Sequence, residues 1–428
     1  VLDETIVTVS LPTISKELSL STSAAHWVVN AYLLGFTCAV AIGGRLGDHF
    51  NRRNYFTAGA TLFALASALA ALAGDGATLI AARALQGIAA AMVFPTSIAL
   101  ITAAFPPQQR GIAFGYQTTV GGIFMASGPL IGGLLTETAS WRMIFWIGVP
   151  FIIAVAALLW LVWSPAYSVK KTKVAGTHRD LAGPVLLIVA LFSLVTSVMQ
   201  GPSWGWAAPS TLGLFVLGGA MLIVFRQHER SHPAPLLDLA LLAIPSFRGG
   251  VIMFAIFQFE KITIFLLVAQ YFQEIVGKSP ILSGMAVSLA ILPTLVTSIL
   301  IGRATDRVGA RSVLVRGAAL HGAAILFLAL ATLQDNDWLV LVPLVLWGAT
   351  MPSFAIPIRR VQMEAVPRQK QAQAHGINMT VQMLGGSLGL AVCSALLTET
   401  QNYVLVFSVI GVVTLLAIPV ALRTFDRV

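Results

Sequence analysis

The chain has 428 residues, of which 57% are hydrophobic and only 10% charged, and its mean hydropathy is +0.86. Soluble domains carry about 25% charged residues, so a water-soluble fold could not cover its surface, and a disordered chain is excluded by the apolar excess. The net charge of +9 would suit nucleic-acid binding in a soluble protein, but on the inner loops of a membrane protein it sets topology instead.

A spanning helix needs about 20 mostly apolar residues. In chain order the expected spans are 1–15, 24–46, 55–73, 77–103, 109–136 and 142–164, then 182–200 and 209–226. The last six are 249–273, 282–302, 313–332, 337–358, 372–397 and 402–423. These fourteen spans leave no room for a folded extramembrane domain. The chain begins at Val1 inside an apolar run, so the first helix is expected to lack its initial turns. Cys38 and Cys393 lie in apolar runs and read as small buried hydrophobes. The connection 165–181, with Lys170, Lys171 and Lys173, reads as a polar inner loop, and 227–247 has room for a short interfacial helix.

Position settles the charge question. If the first helix runs outward, twenty-one of the 26 Lys and Arg residues fall at inner ends and loops. Only Lys16, Arg142 and Lys278 fall outside, and Arg83 and Lys261 lie within spans. This asymmetry predicts both termini in the cytoplasm and removes the nucleic-acid reading.

An internal repeat divides the chain. Gly44-Arg45-Leu46-Gly47-Asp48-His49-Phe50-Asn51-Arg52-Arg53 and Gly302-Arg303-Ala304-Thr305-Asp306-Arg307-Val308-Gly309-Ala310-Arg311 both fit G-R-x-x-D-x-x-x-x-R. Each follows the second span of a six-span group. Parallel repeats of this kind build transporters with the substrate site between halves, near the bilayer midplane.

At these residues the sequence resembles the major facilitator superfamily, and with fourteen spans its drug:proton antiporter group. Leu2 to Pro12 resembles the first-helix signature L-D-x-T-I-V-N-V-A-L-P, differing at Thr8 and Ser10. Gly44 to Arg53 resembles the loop signature G-x-L-x-D-x-x-G-R-[KR], with Asn51, which tolerates a left-handed backbone, in place of the second Gly. Arg83, Gln86 and Gly87 match R-x-x-Q-G of the fourth helix, and Gly128-Pro129-Leu130-Ile131-Gly132-Gly133 matches the fifth-helix antiporter signature. The resemblance implies an all-α polytopic membrane protein with two six-helix bundles, 1–164 and 249–428, joined by two additional helices within 165–248. It implies a secondary transporter of a bacterial inner membrane, not an enzyme, and a monomer.

Five charges sit where hydropathy disfavours them: Asp3, Glu4, Arg83, Glu260 and Lys261. An ionisable residue at mid-span costs about 2.5–3.5 kcal/mol on insertion scales and is a functional candidate by default. Asp3 lies nine residues before Pro12, ~14 Å along a helix, which places it near the midplane. It is a candidate for proton or cation coupling, against a structural helix–helix hydrogen bond. Glu4 points about 100° away and is open to coupling, to contact with a cationic substrate, or to a structural role. Glu260 and Lys261 are adjacent and do not face each other, so each needs its own partner or a wet cavity. Glu260 is a candidate for coupling or charge selection. Lys261 suits an anionic or zwitterionic substrate, or neutralises its surroundings.

The resemblance places Arg83 near the first-helix acid, so Asp3 is its expected partner, as a switchable or a permanent ion pair. By resemblance Gly44, Asp48, Arg52 and Arg53 form a cytoplasmic latch, and Gly128, Pro129, Gly132 and Gly133 favour export. Gly121 and Gly122 extend that small-residue stretch and are expected to admit close helix packing. His321 reads as a packing residue that could titrate near neutrality. Metal-ligand clusters and nucleotide-binding loops are missing from the sequence, so no cofactor is expected and energy should come from a proton gradient. One charge crossing ~150 mV is worth about 3.5 kcal/mol, roughly 300-fold in concentration. The expected activity is proton-coupled export of amphipathic, cationic drugs through the lipid bilayer by alternating access. The alternative is export of a specific metabolite, antibiotic or lipid on the same fold.

Overall fold

The computed structural model describes residues 2–105, 109–163, 182–232, 237–334, 337–367 and 370–425. The inner connection expected at 165–181 lies outside them. The first six spans are α1 (Leu2–Glu17), α2 (Thr22–His49), α3 (Arg52–Ala71), α4 (Gly76–Ala104), α5 (Arg110–Thr138) and the broken pair α6 (Met143–Trp146) and α7 (Gly148–Val162). Then come α8 (Ala182–Trp204) and α9 (Pro209–Ser231). The last six spans are α10 (Pro245–Gln270), α11 (Pro280–Ile291) with α12 (Pro293–Val308), α13 (Ala310–Ala331), α14 (Asp337–Thr350) with α15 (Pro352–Ala365), α16 (Gln371–Thr400), and α17 (Tyr403–Leu415) with α18 (Ala417–Thr424).

Among the described residues thirteen segments are long and apolar enough to cross a membrane. The fourteenth, α1, has 16 residues. Two breaks follow from proline: Pro293 and Pro352 open α12 and α15, where a missing N–H is tolerated but the preceding helix cannot continue. The stretch expected to hold an interfacial helix instead carries one 3-10 turn, Leu239–Ala243. A π-turn, Tyr271–Ile275, extends α10.

Small residues set the packing, because lipid gives helices no hydrophobic reason to associate. In the first half α4 lies tightly on α2. A Cβ on Gly35 would sit 2.5 Å from the Ala84 carbonyl oxygen, and one on Gly87 2.8 Å from the Phe36 nitrogen. In the second half α10 packs on α16 and α13 on α17. Of the two extra helices, α9 packs mainly on α8, while α8 lies on both α2 and α16. Leu187, Leu191, Val195 and Met199 join Leu34, Cys38, Ile377 and Ala391 in one apolar cluster. Both cysteines are buried and free.

The halves meet along α2 with α16, α5 with α11, and α1 with α10. The seam of α5 against α11 and α12 is not uniform. A Cβ on Gly133 would lie 2.8 Å from the Pro280 carbonyl carbon, and one on Gly284 2.9 Å from that of Pro129. Toward the Arg110 end a Cβ on Gly122 would lie 3.7 Å from Leu295, and one on Gly121 would meet no atom of another helix within 4 Å. The seam is therefore shut at the end holding Thr138 and Pro280 and loosens toward the arginine-rich end. The close approach expected at Gly121 and Gly122 is absent, because the helices have already diverged there.

Candidate functional site

The repeat motif is less of a loop than its sequence suggests. Helix α2 runs to His49, so Gly44 to His49 are its last turns; the side chains of Arg45 and Asp48, and the surroundings of Gly44, lie outside the described set. Asn51, which tolerates a left-handed backbone, does not use one here. At φ −65° and ψ 119° it caps α3, its side chain accepting from the Arg53 and Asn54 amides. Arg52 donates to the Ala99 carbonyl at 3.3 Å, and the Arg53 guanidinium stacks 3.8 Å over Trp160. In the second half Asp306 accepts from Arg360 at 2.7 Å, and the same guanidinium reaches the Thr305 carbonyl and Glu364. These exposed pairs are weak, but they tie α12 to α15.

Asp3 and Arg83 do meet. Arg83 Nη1 lies 2.6 Å from Asp3 Oδ2, with the Arg83 side chain 1% exposed and that of Asp3 17%. Arg83 lies seven residues into α4, about 10 Å from its end. Its Nε donates to the Val28 carbonyl at 3.0 Å and Nη1 also reaches Gln86 Oε1 at 2.8 Å. Gln86 in turn donates to Ser67 at 2.8 Å, and the guanidinium stands 4.6 Å from the Tyr32 ring. The glycine after Gln86 lets α2 come close enough to offer that carbonyl. A buried guanidinium is tolerable only when its charge is paired and its donors are used. Here the acid is the partly accessible partner. Glu4 is on α1, its side chain outside the described set.

The antiporter signature bridges three elements. Gly132 lets α5 touch the Ile6 carbonyl of α1, 2.6 Å from where a Cβ would be, while Gly133 and Pro129 face α11. Gly128 is buried on the same helix. Ser10 and Thr136 share a 2.7 Å hydrogen bond, Gln273 donates to the Val9 carbonyl at 2.7 Å, and the Ile281 amide donates to Glu137 at 3.0 Å. At the same end Glu17 accepts from Trp141 at 2.8 Å and pairs with Arg142.

Glu260 and Lys261 diverge, as adjacent helical residues must. Glu260 is fully buried; its Oε1 is 3.0 Å from His321 Nε2 and its Oε2 accepts from Trp347 Nε1 at 2.7 Å. Lys261 is half-buried, its ammonium 5.9 Å from the Phe257 ring centroid. His321, expected from the sequence as a packing residue, is fully buried and is the carboxylate's neighbour. Trp347, Thr350 and the polar residues at the seam carry no fixed charge that would single them out in the sequence. His26 approaches Gln270 at 3.2 Å and Asn30 bonds Ser387. Among the described residues His26 Nδ1, Asn30 Nδ2 and Gln258 Oε1 are buried without a partner. The available signal was a polar side chain within an apolar run, which carries less weight than a formal charge.

Residues 1–256 and 249–427 match the family described as Major Facilitator Superfamily. The chain is 31% identical over 397 residues to the multidrug resistance protein Stp of Mycobacterium tuberculosis strain CDC 1551, covering 92% of this chain and 73% of that one. It is 33% identical to the puromycin resistance protein pur8 of Streptomyces alboniger, covering 93% and 79%. In structure it resembles the inward-open xylose transporter XylE from E. coli, with TM-score 0.68 at 16% identity, covering 100% of this chain and 93% of that one.

Proposed function

Because this chain belongs to the Major Facilitator Superfamily, and is thus a multi-pass membrane transporter and not an enzyme, we propose that it exports amphipathic, cationic compounds in exchange for protons. The observation that carries this reading is the Asp3–Arg83 pair, in which one partner is sealed and the other can be reached. A proton on Asp3 removes the carboxylate charge and leaves Arg83 with its neutral partners, the Val28 carbonyl and Gln86. That state is costlier for a buried cation, so proton load biases α1 against α4 and, through Gly132, α5. Glu4 and Glu260 are the further acidic candidates for coupling and charge selection. Asp48, Arg52 and Arg53 latch the arginine-rich end, which faces the cytoplasm from the cell membrane and carries both termini. The molecule works as a monomer.

Relatives named for drug and puromycin resistance support export. The half-buried Lys261 favours a second reading, in which the cargo is an anionic or zwitterionic metabolite, antibiotic or lipid. The test uses proteoliposomes with tetraphenylphosphonium as probe. Wild type should exchange protons for the probe and Asp3→Asn should move the probe, if at all, without protons. Proton exchange at the wild-type ratio in Asp3→Asn would remove Asp3 from the mechanism. Preference for an anionic competitor over the cation would favour the second reading.

A further inference from the structure

We propose that Glu260, His321 and Thr350 form a second one-proton site, separate from Asp3 and Arg83 and filled by rotation of a single hydroxyl. The proposal deepens the proton-exchange reading above and rests on it for its role in transport, though not for its existence. His321 Nδ1 lies 2.6 Å from Thr350 Oγ1, and that hydroxyl is also 2.9 Å from the carbonyl oxygens of Leu346 and Trp347. On the other side of the ring Nε2 faces Glu260 Oε1 at 3.0 Å.

Counting hydrogens gives two complete states. Trp347 Nε1 can only donate, so Glu260 Oε2 is always an acceptor, and any proton shared by the pair lies between Oε1 and Nε2. In the empty state the Thr350 hydroxyl donates to Nδ1, Nε2–H donates to a carboxylate, and the cluster carries one negative charge. In the loaded state the hydroxyl turns to the carbonyl of Leu346 or Trp347. Nδ1–H then donates to Oγ1, and one proton is shared between Nε2 and Oε1, leaving the cluster neutral overall. The two states differ by one proton, and in each Glu260, His321, Trp347 and Thr350 keep their mutual hydrogen bonds. Since unpaired buried polar atoms are costly, such a cluster can change charge without paying that penalty.

Glu260 and His321 are fully buried, while Thr350 is half-buried and ends α14 directly before the break at Met351. The proton therefore has its route at a hydroxyl on a helix end, a place that can move. Of the ionisable groups on the helices around the pair, Lys261 alone lies within a helical turn of it along its own helix. Arg316 on α13 is exposed, Arg359 on α15 is nine residues beyond Thr350, and Asp3 on α1 is held by Arg83. On the other neighbouring helices, Arg303, Asp306 and Arg307 lie in the last six residues of α12, Asp337 opens α14, His375, Cys393 and Glu399 lie on α16, Tyr403 opens α17, Arg423 lies near the end of α18, and α11 has none.

The test is an acid-minus-alkaline infrared difference spectrum of the purified full chain, read in the carboxyl and imidazole bands. Wild type should show one titrating component that both Glu260→Gln and His321→Gln remove and Asp3→Asn retains. Thr350→Val, which keeps the size of the side chain, should move its midpoint by at least about one pH unit, a tenfold change in proton affinity. Spectra of the two Gln variants that superimpose on wild type, or a loss in one of them alone, would overturn the shared site. Thr350→Val decides the matter if either Gln variant fails to fold: an unchanged midpoint there counts against the site. In proteoliposomes both Gln variants should exchange fewer protons per tetraphenylphosphonium. A wild type that exchanges none defeats the proton-exchange reading whatever the spectra show. Unchanged spectra with exchange still abolished in Asp3→Asn defeat only the second site.

Discussion

At the residue scale, Arg83 is more than a positive charge. Its guanidinium reaches a carboxylate, a backbone carbonyl and an amide oxygen at once. An ammonium on a flexible stem lacks that planar fork. Arg83→Lys therefore keeps the charge but leaves the Val28 carbonyl or Gln86 without its donor. Proton-coupled transport should fall at least about tenfold, with the protein still present in the membrane; rates in proteoliposomes normalised to protein check this. The five charges were legible one by one, since each violates an apolar run. The partnership of Glu260 with His321 was not, because the two are sixty-one positions apart and a lone histidine on an apolar helix carries no signature of its neighbour.

At the element scale, the glycines of α2 and α4 decide how closely two helices can lie. Where Gly87 meets the Tyr32 carbonyl and the Phe36 nitrogen, a methyl group has no space and the obstructing atoms are backbone. Gly87→Ala should cost about 1–3 kcal/mol through overpacking, seen as a lower thermal midpoint in detergent, and should also loosen Arg83 from the Val28 carbonyl. The helices themselves were legible: α4, α5, α13 and α16 begin and end within a few residues of the apolar runs that predicted them. The interruptions at Ile147 and Leu416 were not, because a break that stays apolar leaves the hydropathy unchanged. Asn51 is a comparable case: its side chain gives it a capping role as readily as a left-handed turn, and the arrival of α3 selects the former.

At the scale of the whole molecule, the seam of α5 against α11 and α12 closes at one end and opens at the other. In the proposed alternating-access cycle the closed end has to part. Gly133→Ala puts a methyl group where Pro280 and Ile281 now sit, 2.9 Å from the Ile281 Cα, and should shift the population toward the state opened there. Labelling of an Ile281→Cys reporter by a membrane-impermeant maleimide should then run several-fold faster in the Gly133→Ala background. An unchanged rate would separate this glycine from the gate. The signature was legible as a motif, but its contact with α11 was not, since that requires the two halves to be assembled in one particular state.

The sequence by itself determined that the chain spans a membrane as helices, how many times, and which charges are out of place. Those properties are local: lipid demands that each span satisfy its own backbone and stay apolar, so every span writes its own record. Its four motifs also identified the family. Only the tertiary structure decided who meets whom: Asp3 with Arg83 as one accessible and one sealed partner, Glu260 between His321 and Trp347, and Gly133 against Pro280. Those pairings depend on how bundles pack across hundreds of residues, and packing between apolar helices is set by shape and buried hydrogen bonds, which hydropathy does not record.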